Sequence, residues 1–288
     1  MDLPSGLDWL RGSEQGRAWL DALPDVVDAC AARWGLSVGR PFPYAYTSLA
    51  LPAVRAGGAS AVVKVMFPGR ENEHEALALR AWDGDGAVRL LDEIPELHAL
   101  LLERCVPGTP LSDAAPKTAL AVLAGMLPRL WKPASSPPFR ALADEAAWWA
   151  SHLRQHWMEA GRPFESRLVD AALDALAALS PTQGEAVLLH QDLHGANVLA
   201  AEREPWLAID PKPLAGEREF GLAPIVRSTE LGHSRREVLG RLDSLASELG
   251  LDRERARLWC LGQTVAWSID GGTVLDEHVD VARWLLDG

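Results

Sequence analysis

The chain has 288 residues, of which 48% are apolar and 24% charged, a composition typical of a folded globular protein. Lysine and arginine together number 28 against 40 acidic residues, so the net charge of −12 disfavours a nucleic-acid partner and suits a cationic small molecule. The three cysteines are far apart without a CxxC pair, and no apolar run reaches the length of a membrane span. We therefore expect a cytoplasmic protein with reduced thiols and no membrane partner, as a monomer or weak dimer.

Residues 1–102 predict a small N-terminal lobe, mostly antiparallel sheet with one inserted helix. Residues 13–35 precede the sheet and predict two short helices, with Ser13 capping the first and Pro24 in the first turn of the second. The pair Gly57-Gly58 indicates a hairpin between two strands. The predicted strands are 36–42, 46–55, 59–66, 88–93 and 98–105, and the inserted helix is 70–82.

Residues 103–108 read as a hinge, because the apolar period changes there from that of strands to that of helices. Residues 109–288 predict a larger helical C-terminal lobe. Together the two parts predict an α+β, two-lobed fold. The predicted helices of the second lobe lie near 113–130, 143–160 and 164–179, others begin at Ser234 and Asp252, and a small island of strand covers 186–189 and 206–209.

A polar segment in that island, residues 190–197, reads His-Gln-Asp-Leu-His-Gly-Ala-Asn. Asp192, Asn197 and the later Asp210 have the spacing of a kinase catalytic loop and its metal-binding aspartate. Phosphoryl transfer needs a carboxylate facing the acceptor hydroxyl and hard oxygen ligands for Mg²⁺. We therefore expect Asp192 to be the catalytic base, and Asn197 and Asp210 to bind Mg²⁺. The alternative is a polar hairpin loop made of turn-forming residues.

Lys64 is a lone charge in an apolar strand, Ala-Val-Val-Lys-Val-Met. A buried ammonium is costly unless it is paired, and a strand lysine that contacts nucleotide phosphates and a helix glutamate meets that need. We expect its partner to be Glu75, with Glu71 as the alternative, since both lie on one face of the inserted helix. A lysine whose charge reaches water at the strand end is the other interpretation.

These motifs resemble the aminoglycoside phosphotransferase family, and within it the branch of streptomycin 6-kinases and aminoglycoside/hydroxyurea antibiotic-resistance kinases. The resemblance implies a protein-kinase-like fold and phosphorylation of a small-molecule hydroxyl that depends on ATP and Mg²⁺, with ATP bound in a cleft between two lobes. It extends over nearly the whole chain. The residues that carry it are 34–42, 63–65, 73–77, 82–88, 102–108, 190–197, 204–213, 256–259 and 266–267.

By position, the resemblance assigns the ATP contacts. Lys64 would bind the phosphates, Glu75 would hold Lys64, and the backbone of Glu103 to Cys105 would contact the adenine. Lys212, two residues after the predicted metal ligand, would approach a phosphate or form a structural ion pair.

The resemblance also implies the acceptor, an aminoglycoside of the streptomycin type whose phosphorylation confers resistance. Streptomycin carries guanidinium groups, so Glu230 and Asp270 are candidate acceptor contacts together with Trp267. The alternatives are hydroxyurea, another hydroxylated metabolite, or a kinase-like module that binds nucleotide and transfers little or no phosphate.

Two positions depart from the family pattern. Residues 44–46 read Tyr-Ala-Tyr where this branch tends to carry a glycine-bearing loop, which predicts a narrower roof over the phosphates. Gly221 stands where the family commonly has an Asp that braces the catalytic loop. We therefore expect this loop to have different support, or the enzyme to be less active.

Overall fold

The computed structural model describes residues 1–288, and the chain divides into two compact units. The first unit contains Met1–Gly108 together with Ala200–Leu207, and the second contains Thr109–Leu199 and Ala208–Gly288. The main segment of the first unit thus ends at the last residue of the expected hinge. Residues 200–207 belong to the first unit, although they were predicted to lie in the C-terminal lobe.

The first unit begins with a 3₁₀ helix, Ser5–Gly12, and one long helix, α1 (Glu14–Trp34). Ser13 caps α1 as predicted, since its hydroxyl oxygen accepts the N–H of Gly16 at 3.0 Å. The prediction of two short helices is wrong, because α1 continues through Pro24. Packing on both sides of the proline outweighs the backbone hydrogen bond that it removes. The buried positions are Gly16, Leu20, Leu23, Val27 and Cys30.

A five-stranded antiparallel sheet forms the centre of the first unit. Its strands, β1 (Leu36–Val38), β2 (Ser48–Arg55), β3 (Ser60–Met66), β4 (Leu90–Ile94) and β5 (Ala99–Glu103), lie in the order β1-β2-β3-β5-β4. Lys64 lies in the central strand β3, opposite Ala50 of β2 and Leu100 of β5. Strand β1 ends earlier than predicted, and beyond it isolated bonds from Gly39 and Phe42 continue the pairing.

The inserted helix, α2 (Glu75–Trp82), begins later than the predicted residue 70. The preceding residues form turns, because the buried side chain of Asn72 donates to the carbonyls of Phe67 at 3.0 Å and Thr47 at 3.2 Å. Glu75 is therefore the first residue of the helix, where the helix dipole favours a negative charge.

The second unit is mainly helical. Its helices are α3 (Pro116–Leu130), α4 (Leu142–Glu159), α5 (Ser166–Leu179), α6 (Ala223–Arg227), α7 (Arg235–Leu249), α8 (Arg253–Ala266) and α9 (Asp276–Leu286). Ser234 and Asp252 cap α7 and α8 as predicted, since their side chains accept the backbone N–H groups of Glu237 and Arg255.

Three pairs of short strands interrupt these helices. They are β6 (Val187–Leu189) with β9 (Leu214–Gly216), β7 (Val198–Ala200) with β8 (Trp206–Ala208), and β10 (Ile269–Asp270) with β11 (Thr273–Val274). The polar segment 190–197 follows β6 directly and leads into β7. Both predicted strands of this island are present, each slightly shorter than expected.

Each unit has its own hydrophobic core. In the first unit, Leu7 and Leu10 of the 3₁₀ helix are buried with residues of α1 and the sheet. In the second, Trp259 and Phe220 are fully buried and meet edge to face with ring centroids 5.5 Å apart. The three cysteines are buried and unbonded to one another. None of the helices combines the length and hydropathy that a membrane span requires.

Candidate active site

The segment 190–197, here called the catalytic loop, is held by backbone hydrogen bonds to the chain that follows β8. The N–H of Lys212 donates to the carbonyl of His190 at 2.9 Å, and the N–H of Ile209 donates to the carbonyl of Asn197 at 2.9 Å. These bonds lie at the two ends of the catalytic loop. They place the predicted base and both predicted metal ligands on adjacent segments.

The side chain of Asp192 is 12% exposed, and its two oxygens have different partners. Oδ2 accepts hydrogen bonds from Lys212 Nζ at 2.8 Å and from Asn197 Nδ2 at 3.3 Å. Oδ1 lies 3.5 Å from Arg227 Nη2 and 3.8 Å from His194 Nε2. One oxygen is therefore firmly held, and the other has only long contacts.

The charge of Asp192 is stabilised by its neighbours. Burial by itself would raise the pKa of this carboxyl, because burial disfavours the charged form. The charges of Lys212, His194 and Arg227 and the hydrogen bond from Lys212 outweigh burial and hold the pKa of Asp192 well below its usual range. Asp192 is thus ionised at neutral pH and can accept a hydrogen bond from a hydroxyl.

Asn197 and Asp210 have the donor atoms that Mg²⁺ prefers, an amide oxygen and a carboxylate. Asn197 donates through Nδ2 to the backbone oxygen of Asp192 at 3.0 Å, which assigns its amide oxygen to any metal contact. Asp210 has a φ of 55°, in the left-handed region that residues with a side chain rarely adopt. Such backbone strain is concentrated at functional sites. The residues present therefore fit a magnesium ion.

Arg227, the last residue of α6, is a site residue that was not predicted from the sequence. Its side chain is 6% exposed, its Nη1 donates to Gln263 Oε1 at 2.5 Å, and its Cζ lies 4.4 Å from the centroid of the Trp267 ring. The available signal is a single charge at the end of the apolar run 220–226, the same kind of signal that identifies Lys64. Arg227 brings a second cation to Asp192, next to Lys212.

The three candidate acceptor contacts lie in different places. Trp267 stacks on two cations that contact Asp192, with Lys212 Nζ 5.6 Å from its ring centroid. The carboxylate of Glu230 accepts the backbone N–H of Gly195 in the catalytic loop. Asp270 is exposed on strand β10. Trp267 and Glu230 are thus close to the loop, and Glu230 already binds its backbone.

The first unit contains the expected ion pair between Lys64 and Glu75. Nζ of Lys64 lies 2.7 Å from Oε1 and 2.6 Å from Oε2 of Glu75. The two side chains are 6% and 0% exposed, so the pair is shielded from water. The lysine on β3 is therefore held by the first residue of α2.

The side chain of Glu103, at the end of β5, binds two arginines. Arg203 donates through Nε at 2.8 Å and through Nη2 at 2.9 Å, and the backbone N–H of Arg89 donates at 3.0 Å. Burial would raise the pKa of Glu103, but the hydrogen bonds and charges of Arg203 and Arg89 outweigh it and lower the pKa. Because both carboxylate oxygens are bonded to Arg203 or Arg89, any contact between Glu103 and a nucleotide must come from the backbone of Glu103.

Cys105 follows two residues later and is buried. Burial is the main cause that raises the pKa of its thiol to about 11. The thiol is therefore protonated at neutral pH and is a poor nucleophile. Any part that Cys105 takes in nucleotide binding comes from its backbone and its packing.

Residues 33–272 match the family of aminoglycoside/hydroxyurea antibiotic resistance kinases. Hydroxyurea phosphotransferase from Kitasatospora aureofaciens is 41% identical over 283 residues, which cover 96% of this chain and 82% of that protein. Streptomycin 6-kinase from Streptomyces griseus is 39% identical over 270 residues, which cover 91% of this chain and 88% of that protein. The chain belongs to the aminoglycoside/hydroxyurea antibiotic resistance kinase family.

A solved structure of this fold is a thermostable mutant of an aminoglycoside phosphotransferase, in a ternary complex with ADP and hygromycin B. Its TM-score is 0.58 at 18% identity, with 90% of this chain and 95% of that chain covered. This likeness shows the fold alone, and the predicted α+β, kinase-like fold is confirmed. The predicted activity class is confirmed by the family and its curated relatives. The protein is a small-molecule kinase that uses ATP.

Gly221 is one departure from the pattern of this resistance-kinase family, and Trp131 lies against it. A Cβ at position 221 would be 3.1 Å from Nε1 of Trp131, closer than most Cβ contacts. Other residues hold the catalytic loop instead. Besides the bond that the N–H of Gly195 donates to Glu230, Gln263 Nε2 on α8 donates to the carbonyl of Gln191 at 3.4 Å. The loop is therefore supported at Gly195 by Glu230 and at Gln191 by Gln263.

The loop 44–46 is the other departure from the resistance-kinase pattern. The tip residue Tyr44 is 92% exposed. Nε1 of Trp9 donates to the carbonyl of Tyr46 at 3.0 Å, and the two rings stack with centroids 5.3 Å apart. The 3₁₀ helix that carries Trp9 thus anchors this loop.

Proposed function

We propose that this kinase transfers the γ-phosphoryl group of ATP–Mg²⁺ to a ring hydroxyl of an aminoglycoside of the streptomycin type, and so confers resistance. The observation that carries the proposal is the ionised carboxylate of Asp192, which accepts a hydrogen bond from Asn197 in a loop bonded to the segment that contains the strained Asp210. The streptomycin 6-kinase relative supports the acceptor, and a net charge of −12 suits a polycation. We also propose a cytoplasmic enzyme, where ATP is made and buried thiols stay reduced, that acts as a monomer or weak dimer.

The roles of the residues follow from their chemistry. Lys64, oriented by Glu75, binds the phosphates, and the backbone from Glu103 to Cys105 contacts the adenine. Asn197 and Asp210 hold Mg²⁺, which neutralises phosphate charge when it is bound.

Asp192 orients the acceptor hydroxyl and takes its proton while the hydroxyl oxygen bonds to the γ-phosphorus. The bond from that phosphorus to the bridging oxygen breaks, and ADP leaves. Lys212 pairs with Asp192 in the structure. We propose that Lys212 also approaches a phosphate when ATP is bound, because its charge is then shared between two anionic groups.

Hydroxyurea is a second candidate acceptor, and one observation favours it. Both Lys212 and Arg227 lie beside Asp192, so a neutral acceptor enters without repulsion between like charges. The hydroxyurea phosphotransferase relative, which aligns with 96% of this chain, supports the same candidate.

Transfer of label from [γ-³²P]ATP to streptomycin and to hydroxyurea is the direct test, followed by location of the phosphate on the product. For streptomycin, the KM should rise between low and physiological ionic strength, because salt screens the attraction of a polycation to an acidic protein. The KM of uncharged hydroxyurea should not change. No transfer to either acceptor, with ATP still bound, would favour a nucleotide-binding module or another acceptor.

A further inference from the structure

Arg227 is a buried guanidinium beside the carboxylate of Asp192, and neighbouring side chains hold it in this position. Its Nη1 donates to Gln263 Oε1, and its Nη2 lies 3.5 Å from Asp192 Oδ1. These contacts use two of the five N–H donors of the side chain. Burying a cation costs free energy unless it is paired, and here the paired carboxylate is shared with Lys212. Because Lys212 already neutralises Asp192, the ion pair alone does not explain why a second cation, Arg227, is buried there.

The orientation of this guanidinium is fixed by two neighbours. Its Cζ lies 4.4 Å from the ring centroid of Trp267, within the range of a cation–π contact. Gln263 is fully buried on α8, and its own Nε2 donates to the catalytic loop at the carbonyl of Gln191. The guanidinium is thus pre-organised, with Nη2 directed towards Asp192.

The two oxygens of Asp192 show where an acceptor hydroxyl can bind. Oδ2 already accepts two hydrogen bonds, from Lys212 and Asn197. The contacts of Oδ1 are 3.5 Å to Arg227 and 3.8 Å to His194, longer than a well-formed N–H···O hydrogen bond of about 2.7–3.2 Å. Oδ1 therefore has the capacity to accept a bond from an incoming hydroxyl, and that hydroxyl would lie next to Arg227.

We propose that Arg227 is an acceptor-binding residue that recognises a second oxygen, bonded to the atom adjacent to the one that carries the phosphorylated hydroxyl. This inference rests on the proposed kinase function. The reacting hydroxyl donates to Asp192 Oδ1, and Arg227 Nη2 donates to the second oxygen. Because the two protein atoms are 3.5 Å apart, they match a pair of oxygens on neighbouring atoms. Asp192 takes the proton as the phosphorus–oxygen bond forms and ADP leaves, and Arg227 stays protonated throughout.

The acceptors selected by this arrangement are vicinal diols and N-hydroxy amides. The inositol-derived ring of streptomycin has adjacent hydroxyls, and hydroxyurea has a carbonyl next to its N–OH group. Both candidate acceptors therefore present the same pair of oxygens. A cationic group in the place of the second oxygen would face Arg227 and Lys212, so a guanidinium that neighbours the reacting hydroxyl must lie on the side away from these two cations.

A matched pair of small acceptors tests this directly. Hydroxyurea and N-hydroxyguanidine share the N–OH group, but the carbonyl of the first is replaced in the second by a cationic amidinium at neutral pH. The wild-type enzyme should favour hydroxyurea in kcat/KM by at least about 30-fold, as expected for one charge-assisted hydrogen bond. In Arg227→Met this preference should fall to about threefold or less, since methionine keeps an unbranched apolar stem but has none of the N–H donors. If streptomycin alone is phosphorylated, the same ratio is measured from the inhibition constants of the two compounds against streptomycin.

Further variants separate recognition from folding. Arg227→Lys keeps the charge and should restore part of the preference, whereas Arg218→Met, which removes an arginine that is 46% exposed, should leave it unchanged. Trp267→Leu removes the ring on which Arg227 stacks and should also reduce the preference for hydroxyurea over N-hydroxyguanidine. This variant provides the test if Arg227→Met does not fold. The KM for ATP should change less than about threefold in all of them.

Two results would overturn the role of Arg227. One is a preference for hydroxyurea over N-hydroxyguanidine that stays the same in folded Arg227→Met, or in Trp267→Leu if Arg227→Met does not fold. The other is an acceptor, identified by ADP release, that has no oxygen beside its phosphorylated hydroxyl. If the wild-type enzyme phosphorylates neither streptomycin nor hydroxyurea, the proposed acceptors are wrong. The role of Arg227 is then decided by whether the acceptor identified by ADP release has an oxygen beside its phosphorylated hydroxyl.

Discussion

Glu103 and Arg203 are 100 residues apart in the chain and form a bidentate ion pair in the first unit, with N···O distances of 2.8 and 2.9 Å. The guanidinium of Arg203 also donates to the carbonyls of Gly84 at 2.7 Å and Ala87 at 3.0 Å. One side chain thus connects the β7–β8 hairpin tip, the end of β5 and the turn after α2. Since we propose that the backbone after Glu103 contacts adenine, this ion pair positions part of the nucleotide site.

Arg203→Ala should therefore weaken ATP binding more than acceptor binding. Loss of the bidentate contact releases the end of β5, and we expect the KM for ATP to rise about tenfold, which corresponds to ~1.4 kcal/mol. The kcat at saturating ATP should change less than threefold. Arg253→Ala removes an exposed ion pair with Asp243 and serves as the control. Equal changes in the KM values of ATP and acceptor would contradict this role.

The buried ion pair between Lys64 and Glu75 should contribute to both stability and ATP binding. Glu75→Gln removes the negative charge next to a buried ammonium, and breaking such a pair costs about 3–5 kcal/mol. We expect a lower free energy of unfolding in urea and a higher Kd for ATP. Glu73→Gln, at an exposed position in the preceding turn, is the matched control and should change neither. Similar losses in the two variants would argue against a specific role for Glu75.

Asp192 and Asp210 should give different defects, because we propose that Asp192 is the catalytic base and that Asp210 is a metal ligand. Asp192→Asn should reduce kcat by roughly 10²–10⁴-fold and leave the affinity for ATP nearly unchanged. Asp210→Ala should instead abolish nucleotide binding that depends on Mg²⁺. Calorimetric titration with a non-hydrolysable ATP analogue, with and without Mg²⁺, distinguishes the two. Equal losses of ATP affinity would contradict this division of roles.

Stability should fall as the pH is lowered from about 6.5 towards 4, because the buried His190 and the partly buried His278 are held in the neutral form. Burial lowers the pKa of His190 to about 4, and burial together with the charge of Arg227 lowers the pKa of His278 to about 4. Between pH 4 and the ordinary value of about 6.5, the unfolded chain binds protons that the folded protein does not, so protonation favours unfolding. Each histidine contributes on the order of 3 kcal/mol at most across this range.

Urea denaturation at pH 7.0, 5.5 and 4.5 measures this dependence. His278→Gln should reduce the slope of the unfolding free energy against pH, since glutamine does not titrate. His156→Gln, on an exposed turn of α4, should leave the slope unchanged. A pH dependence identical in the wild-type protein and in His278→Gln would exclude His278 as a source of the effect.

Most of the local structure could be predicted because it depends on short-range patterns. The caps at Ser13, Ser234 and Asp252 are each set by one side chain and a nearby N–H group. Pro24 misled the prediction, since a local rule for proline does not include the burial of the α1 face on both sides of it. The late start of α2 depends on Asn72, whose hydrogen bonds reach a carbonyl 25 residues earlier.

For the candidate active site, the sequence alone predicted which residues supply the groups that phosphoryl transfer needs. The spacing of Asp192, Asn197 and Asp210 identified the catalytic loop, and the lone Lys64 in an apolar strand identified the buried ion pair. These signals can be recognised in the sequence because the residues of each one lie close together along the chain, in one strand or around one loop. Only the tertiary structure decided what surrounds Asp192 and Glu103. Arg227 and Arg203 reach these carboxylates from 35 and 100 residues away, and ion pairs over such distances depend on packing that leaves no periodic trace in the chain.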